Sequence, residues 1–327
     1  MTAVRASASI RRGTARGTAD LWRAGADGTS GRVTLPPRIF DQSRRAARRD
    51  RYWRQVRGTP DFHRRITEDL LDRVDSVTRP LATALLINPS DPALGEGLGE
   101  RDIDVVEVQS GAKAARVRGV LFALDDAPGL PAGPFDLVMS AGGLESVNDV
   151  PGALSLFRRA LRPDGLLLAC LPGSGSFGVA RDACLGADLA IGGAATARFH
   201  PLVDVRSLGD LAARAGLVLP VAEVDSIDLR YRTLPRLFAD LRDHGWAQAL
   251  AGPMRPLSRR WLAEADALFR ARADADGRVA ERLNLLTLTA WSPGPDQPKP
   301  AARGSGKMSL TRAVGISATR PPPSTKP

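Results

Sequence analysis

Seven short apolar runs, each bounded by turn residues, constrain the fold of this 327-residue chain more tightly than any other feature of its sequence. They cover residues 81–87, 103–108, 120–124, 135–140, 166–171, 217–224 and 285–291. At five to eight residues each, they are too short for buried helices and suit strands covered on both faces. Helical patterns alternate with them. Ile66, Leu70, Leu71 and Val74 share one face ahead of the first run. Asp149 is placed to cap a helix whose apolar side is Ala153, Leu154, Leu156, Phe157, Ala160 and Leu161, and Arg162-Pro163-Asp164-Gly165 stops it. Another helix begins near Val205, turns Leu208, Leu211, Ala212 and Ala215 inward, and meets Gly216 where a left-handed C-cap is needed. Residues 234–241 and 258–270 read as helices inserted before the last strand. This alternation predicts an α/β fold: a doubly wound, mostly parallel, seven-stranded sheet with helices on both faces.

Composition is ordinary for a globular protein, 43% hydrophobic and 25% charged. No apolar run reaches the eighteen or so residues of a membrane span. Cys170 and Cys184 are the only cysteines and form no Cys-x-x-Cys pair, so neither a disulfide framework nor a metal centre is expected; both read as small buried apolar residues. The formal charge of +10 is concentrated at one end: residues 1–65 hold sixteen arginines against five aspartates, and the remainder is close to neutral. Such an arm can meet phosphates, acidic proteins or anionic lipid through one non-specific electrostatic attraction. Nucleic acid is not the expected partner, because Trp22, Phe40, Tyr52, Trp53 and Phe62 form no regular stacking platform among the arginines. Residues 1–37 read as a disordered basic extension, 38–292 as one folded domain, and 293–327 as a disordered proline-rich tail. The extension suits either a mitochondrial transit peptide, hence a matrix protein, or an alanine- and arginine-rich bacterial terminus on a cytoplasmic one.

Phe135-Asp136-Leu137-Val138-Met139-Ser140, then Val147-Asn148-Asp149-Val150-Pro151, then Arg162-Pro163-Asp164-Gly165 before an apolar strand, resembles the fourth and fifth strands of class I SAM-dependent methyltransferases. Pro37-Arg38-Ile39-Phe40-Asp41, His200-Pro201-Leu202, Val205-Arg206-Ser207-Leu208 and Arg303-Gly304-Ser305-Gly306-Lys307 extend the resemblance to the branch containing mitochondrial complex I assembly factor 5 and its alphaproteobacterial relatives. It implies a Rossmann-like sheet, S-adenosyl-L-methionine (SAM) as cofactor, and a protein partner, a subunit of the respiratory NADH dehydrogenase. Members of that branch are associated with modifying an arginine on such a subunit, so the fold need not mean methyl transfer.

A SAM pocket needs a glycine-rich turn after the first strand, because the backbone approaches the ligand closely and offers N–H donors to it. Here that turn reads Ile87-Asn88-Pro89-Ser90-Asp91-Pro92. Pro89 and Pro92 carry no N–H. Gly95, Gly97 and Gly99 come too late and read as a connecting loop. The pocket candidates are Asn88 and Ser90 in the altered turn, Glu107 near the end of the second strand as the acid for the ribose hydroxyls, with Gln109 behind it, Asp125 beside Asp126 after the third strand, and Ser140 ending the fourth. Where the branch carries a Leu-His-Trp-Val-Asn-Asp type of segment, this chain has Leu144-Glu145-Ser146-Val147-Asn148-Asp149, and helix capping accounts for the last two. His63, His200 and His244 are scattered and assemble no acid/base set; His200 beside Pro201 reads as a structural loop residue. Two functions remain open: an enzyme that binds SAM and modifies a protein side chain such as arginine, and a catalytically inactive assembly or scaffold protein that keeps the fold.

Overall fold

Helix α1 (Gln42–Gln55) begins at Asp41, whose carboxylate accepts from the Arg44 N–H at 2.9 Å. Its buried side is Arg45, Arg48, Arg49, Tyr52 and Trp53, so it packs with a face that is largely charged. The computed structural model describes residues 38–131, 133–295 and Gln297. The extension expected at 1–37 and most of the tail expected from 293 lie outside the described residues. Helix α2 (Asp61–Asp75) follows Pro60 and buries Ile66, Leu70 and Val74, the stripe its spacing predicts.

The strands are β1 (Thr83–Ile87), β2 (Asp104–Gln109), β3 (Leu121–Phe122), β4 (Phe135–Ser140), β5 (Leu161–Pro172), β6 (Val218–Tyr231) and β7 (Val279–Trp291). They form one seven-stranded sheet in the order β3-β2-β1-β4-β5-β7-β6. From β3 through β5 neighbours run parallel, whereas β7 lies antiparallel between β5 and β6. The doubly wound, mostly parallel, Rossmann-like architecture predicted from the runs is therefore present.

In β1, Ala84, Leu85, Leu86 and Ile87 are all fully buried. Side-chain alternation sends Leu86, with Leu70, Leu98, Met139 and Phe269, into the core on one face of the sheet. Leu85 and Ile87, with Val138, Leu154, Phe157 and Leu208, enter the core on the other. Between the strands lie α3 (Ala93–Gly99), α4 (Ala112–Arg118), a 3₁₀ turn (Leu144–Ser146), α5 (Val150–Ala160), α6 (Gly178–Gly192), α7 (Val205–Arg214), α8 (Leu234–Asp243) and α9 (Arg259–Arg270). The caps follow the sequence: Asp149 accepts from the Gly152 N–H at 2.8 Å, and Asp204 from the Ser207 N–H at 2.9 Å.

Some expectations need correction. Gly95, Gly97 and Gly99 belong to α3 rather than to a loop, and a Cβ on Gly97 would come within 2.6 Å of Leu71, so glycine lets α3 lie close against α2. Residues 162–165 stop α5 but already belong to β5. Asn148 does not cap α5. Its Oδ1 accepts from the N–H groups of Ile39 and Phe40, at 2.8 and 2.9 Å, and its Nδ2 donates to the Phe40 carbonyl, so it clips the strand leading into α1.

Candidate functional site

In a sheet of this kind the ligand crevice opens outside the carboxyl ends of the strands where the order reverses, here between β1, with β2 and β3 to one side, and β4 on the other. Asn88 ends β1 in the left-handed conformation, φ 51°, which an asparagine adopts at small cost. Its buried amide joins three strand ends: Nδ2 donates to Asp125 at 2.9 Å, and Oδ1 accepts from the Ser110 N–H at 2.8 Å. After β4, Gly142 and Gly143 have φ of 146° and 94° and lie against this knot. A Cβ on Gly143 would sit 2.8 Å from the Asp125 carboxylate and 2.9 Å from Asn88 Nδ2.

Helix α1 lays three buried guanidinium groups across these strand ends. Arg45 donates from Nη2 to both oxygens of Asp125, from Nη1 to Asp126 at 2.9 Å, and from Nε to Ser146 Oγ at 3.2 Å. Arg48 donates to Glu145 at 2.7 Å and to Ser146 Oγ at 3.0 Å. Among the described residues Arg49 has no carboxylate partner. It donates to Ser90 Oγ and to Gln109 Oε1, each at 2.8 Å, and to the carbonyls of Asn88 and Pro89. The Tyr52 hydroxyl donates to the Ser90 carbonyl.

The turn after β1 thus has the opposite polarity from an anion-binding loop. It presents carbonyl and hydroxyl acceptors to a cation, where a glycine-rich turn would present N–H donors to a ligand. Burial pushes the Arg49 guanidinium down to about 10. Burial also pushes the Asp125 carboxyl up, against the pull of Arg45. At Glu145, burial acts upward, but Arg48 and more weakly His200 hold the carboxyl at about 2.

Of the residues expected to line a cofactor pocket, Asn88, Ser90 and Asp125 are brought together, each bonded to α1 or to one another. Asp125 and Asp126 are no solvated acidic turn; their side chains are 1% and 4% exposed. Glu107 sits one step outside, paired with Arg118 at 3.0 Å and accepting from Gln109 Nε2 at 3.1 Å. Gln109, fully buried at the end of β2, meets α1 instead, through Arg49 and Trp53. Ser140 is buried at the end of β4, and its hydroxyl, like the second oxygen of Glu145, has no hydrogen-bond partner among the described residues. His200 is structural: its Nε2 accepts from the Ala249 N–H at 2.9 Å, and its ring packs edge-on against Phe40. Sequence reasoning missed Arg45, Arg48, Arg49, Tyr52 and Trp53, which it counted within a basic arm. Their spacing, one helical stripe of i, i+3, i+4, i+7 and i+8, was the available signal.

A family model described as a methyltransferase domain matches residues 44–220, from the first turn of the arginine helix through β5 and into β6. The chain belongs to this methyltransferase family. Among its relatives, the zebrafish (Danio rerio) protein named "Arginine-hydroxylase NDUFAF5, mitochondrial" is 25% identical over 308 residues, covering 90% of this chain and 94% of that protein. A malonyl-[acyl-carrier protein] O-methyltransferase of Laribacter hongkongensis (strain HLHK9) is 30% identical over 185 residues, 57% of this chain and 58% of that enzyme. The solved structure of the YcgJ protein from Bacillus subtilis aligns with a TM-score of 0.45 at 11% identity, covering 70% of this chain and 99% of that one. Membership of the methyltransferase family supports SAM as cofactor or ligand. The residues nevertheless do not accommodate it: the guanidinium groups of α1 lie across the strand ends, and in the turn after β1 the Ser90 hydroxyl and the carbonyls of Asn88 and Pro89 are already bonded to Arg49.

Proposed function

We propose that this methyltransferase-family protein rests with its SAM crevice shut by α1 and acts in that form as a protein-binding assembly factor, the respiratory NADH dehydrogenase being the partner class that the resemblance implies. SAM gains entry only when α1 lifts. Arg49 carries the proposal: a buried cation capping the carbonyls of Asn88 and Pro89 takes the place where the ligand would need donors. Three carboxylates, Asp125, Asp126 and Glu145, balance the three arginines, so the closed form needs no ligand to neutralise it.

The near full-length match to an arginine hydroxylase favours a second reading, modification of a partner's arginine once the crevice opens. Calorimetric titration of the intact chain with SAM and with S-adenosylhomocysteine separates the two. The closed-crevice proposal expects no saturable heat from the intact chain and measurable affinity for a folded Arg49→Ala variant. Micromolar binding to the intact chain, with α1 still protected from amide exchange, would refute it. Absence of binding to either protein favours a cofactor-free scaffold.

A further inference from the structure

On the far side of β2 from β1 lies a groove of about 590 Å³, walled by α3 on one side and by the α4-to-β3 turn on the other. Hydrogen-bond direction alternates along a strand, and the N–H of Asp104 and the C=O of Val108 are both used toward β1, so the N–H and C=O of Val105 point outward into this groove. Strand β3 pairs only with Val108 and Gln109, and among the described residues nothing pairs with the outer edge of β2 over residues 104–106. The walls are partly apolar: Val105, Val106, Val120 and Leu121 line the groove, and Leu121 is 53% exposed. Of its lining carboxylates, Glu96 is exposed and makes no ion pair among the described residues, as is true of Asp104 beside Val105 in the strand, while Arg118, the cation in the lining, is already bound to Glu107.

We propose that this groove docks an extended, basic segment of a partner protein, which adds a short strand beside residues 104–106 of β2. An unpaired strand edge supplies backbone hydrogen bonds to such a segment, apolar side chains find the valine and leucine wall, and lysines or arginines alternating with them, which all project to one face of the sheet, meet Glu96 on the α3 face. The site lies on the outer edge of the sheet, outside the strand-end crevice, and its Arg118 stacks on the Trp53 ring of α1 at 4.8 Å.

Fluorescence anisotropy of the full chain with a labelled acetyl-Lys-Val-Lys-Val-Lys-Val-amide peptide tests it. The expected result is saturable binding in the micromolar range. Affinity should fall at least ~10-fold when alternate peptide nitrogens are methylated, when the lysines are replaced by glutamates, or when the protein carries Glu96→Lys with Asp104→Lys. Both protein substitutions are at exposed positions, so the fold is retained. No saturable association, or binding indifferent to nitrogen methylation and to the two charge reversals, overturns the proposal. Because no SAM is present, failure here is distinct from failure of the closed-crevice reading.

Discussion

Arg45 shows how much a single side chain does in this protein. Among the described residues Asp126 is bonded only to this guanidinium and to Gln42, and the same guanidinium holds both oxygens of Asp125. Arg45→Ala would strand two buried carboxylates, and breaking a buried pair from one side costs about 3–5 kcal/mol. Equilibrium denaturant unfolding should register that loss. A cost below ~1 kcal/mol would mean that water reaches Asp125 and Asp126 freely, and the crevice would then be open. Asn88 belongs to the same knot. It replaces the glycine that the turn would otherwise use, and it does so by adopting a left-handed backbone and spending its amide on Asp125 and Ser110. The sequence showed that donors were missing from this turn; it did not show that α1 would turn the remaining acceptors into a cation site.

At the scale of elements, the strands and the capped helices were legible, because burial on both faces writes continuous apolar runs and caps write Asp immediately ahead of a helix. Helix α5 is an example. Asp149→Ala should cost about 1 kcal/mol in unfolding free energy and leave ligand binding unaltered. Asn148→Ala should act differently, freeing residues 39 and 40 and hence the start of α1, so amide exchange should rise at residues 39–45 and stay unchanged in α5. Equal exchange changes in both segments would contradict the separate roles. Helix α1 was not legible, because its buried stripe is arginine and aromatic, and arginine at that density reads as a solvated arm until the acids that receive it are placed in space. Helices α3 and α4 escaped for a simpler reason: seven residues each, with glycine or charge through them, leave no apolar period to detect.

For the whole molecule, the buried histidines set the response to acid. Burial holds His63 at about 3, with His244 adding to the effect, and burial holds His200 at about 4, helped by the positive charge of Arg48. The unfolded chain takes up these protons below about 6.5, the folded chain does not, and stability must therefore fall as pH drops from near 6.5 toward 4. Glu145, held at about 2, adds a further loss below the ordinary carboxylate range, whereas Asp125, raised by burial, works in the opposite sense above that range. Urea midpoints at pH ~7.5 and ~5 should show the lower value at the lower pH, and an equal or higher one would contradict the burial of His63 and His200. Closure of the crevice rests on α1 through Arg45, Arg48 and Arg49. Amide hydrogen exchange of the intact chain, followed across Gln42–Gln55, tests this directly. A closed crevice predicts protection in α1 comparable to that of α2 and α5, and exchange at the rate of an unstructured peptide would contradict it.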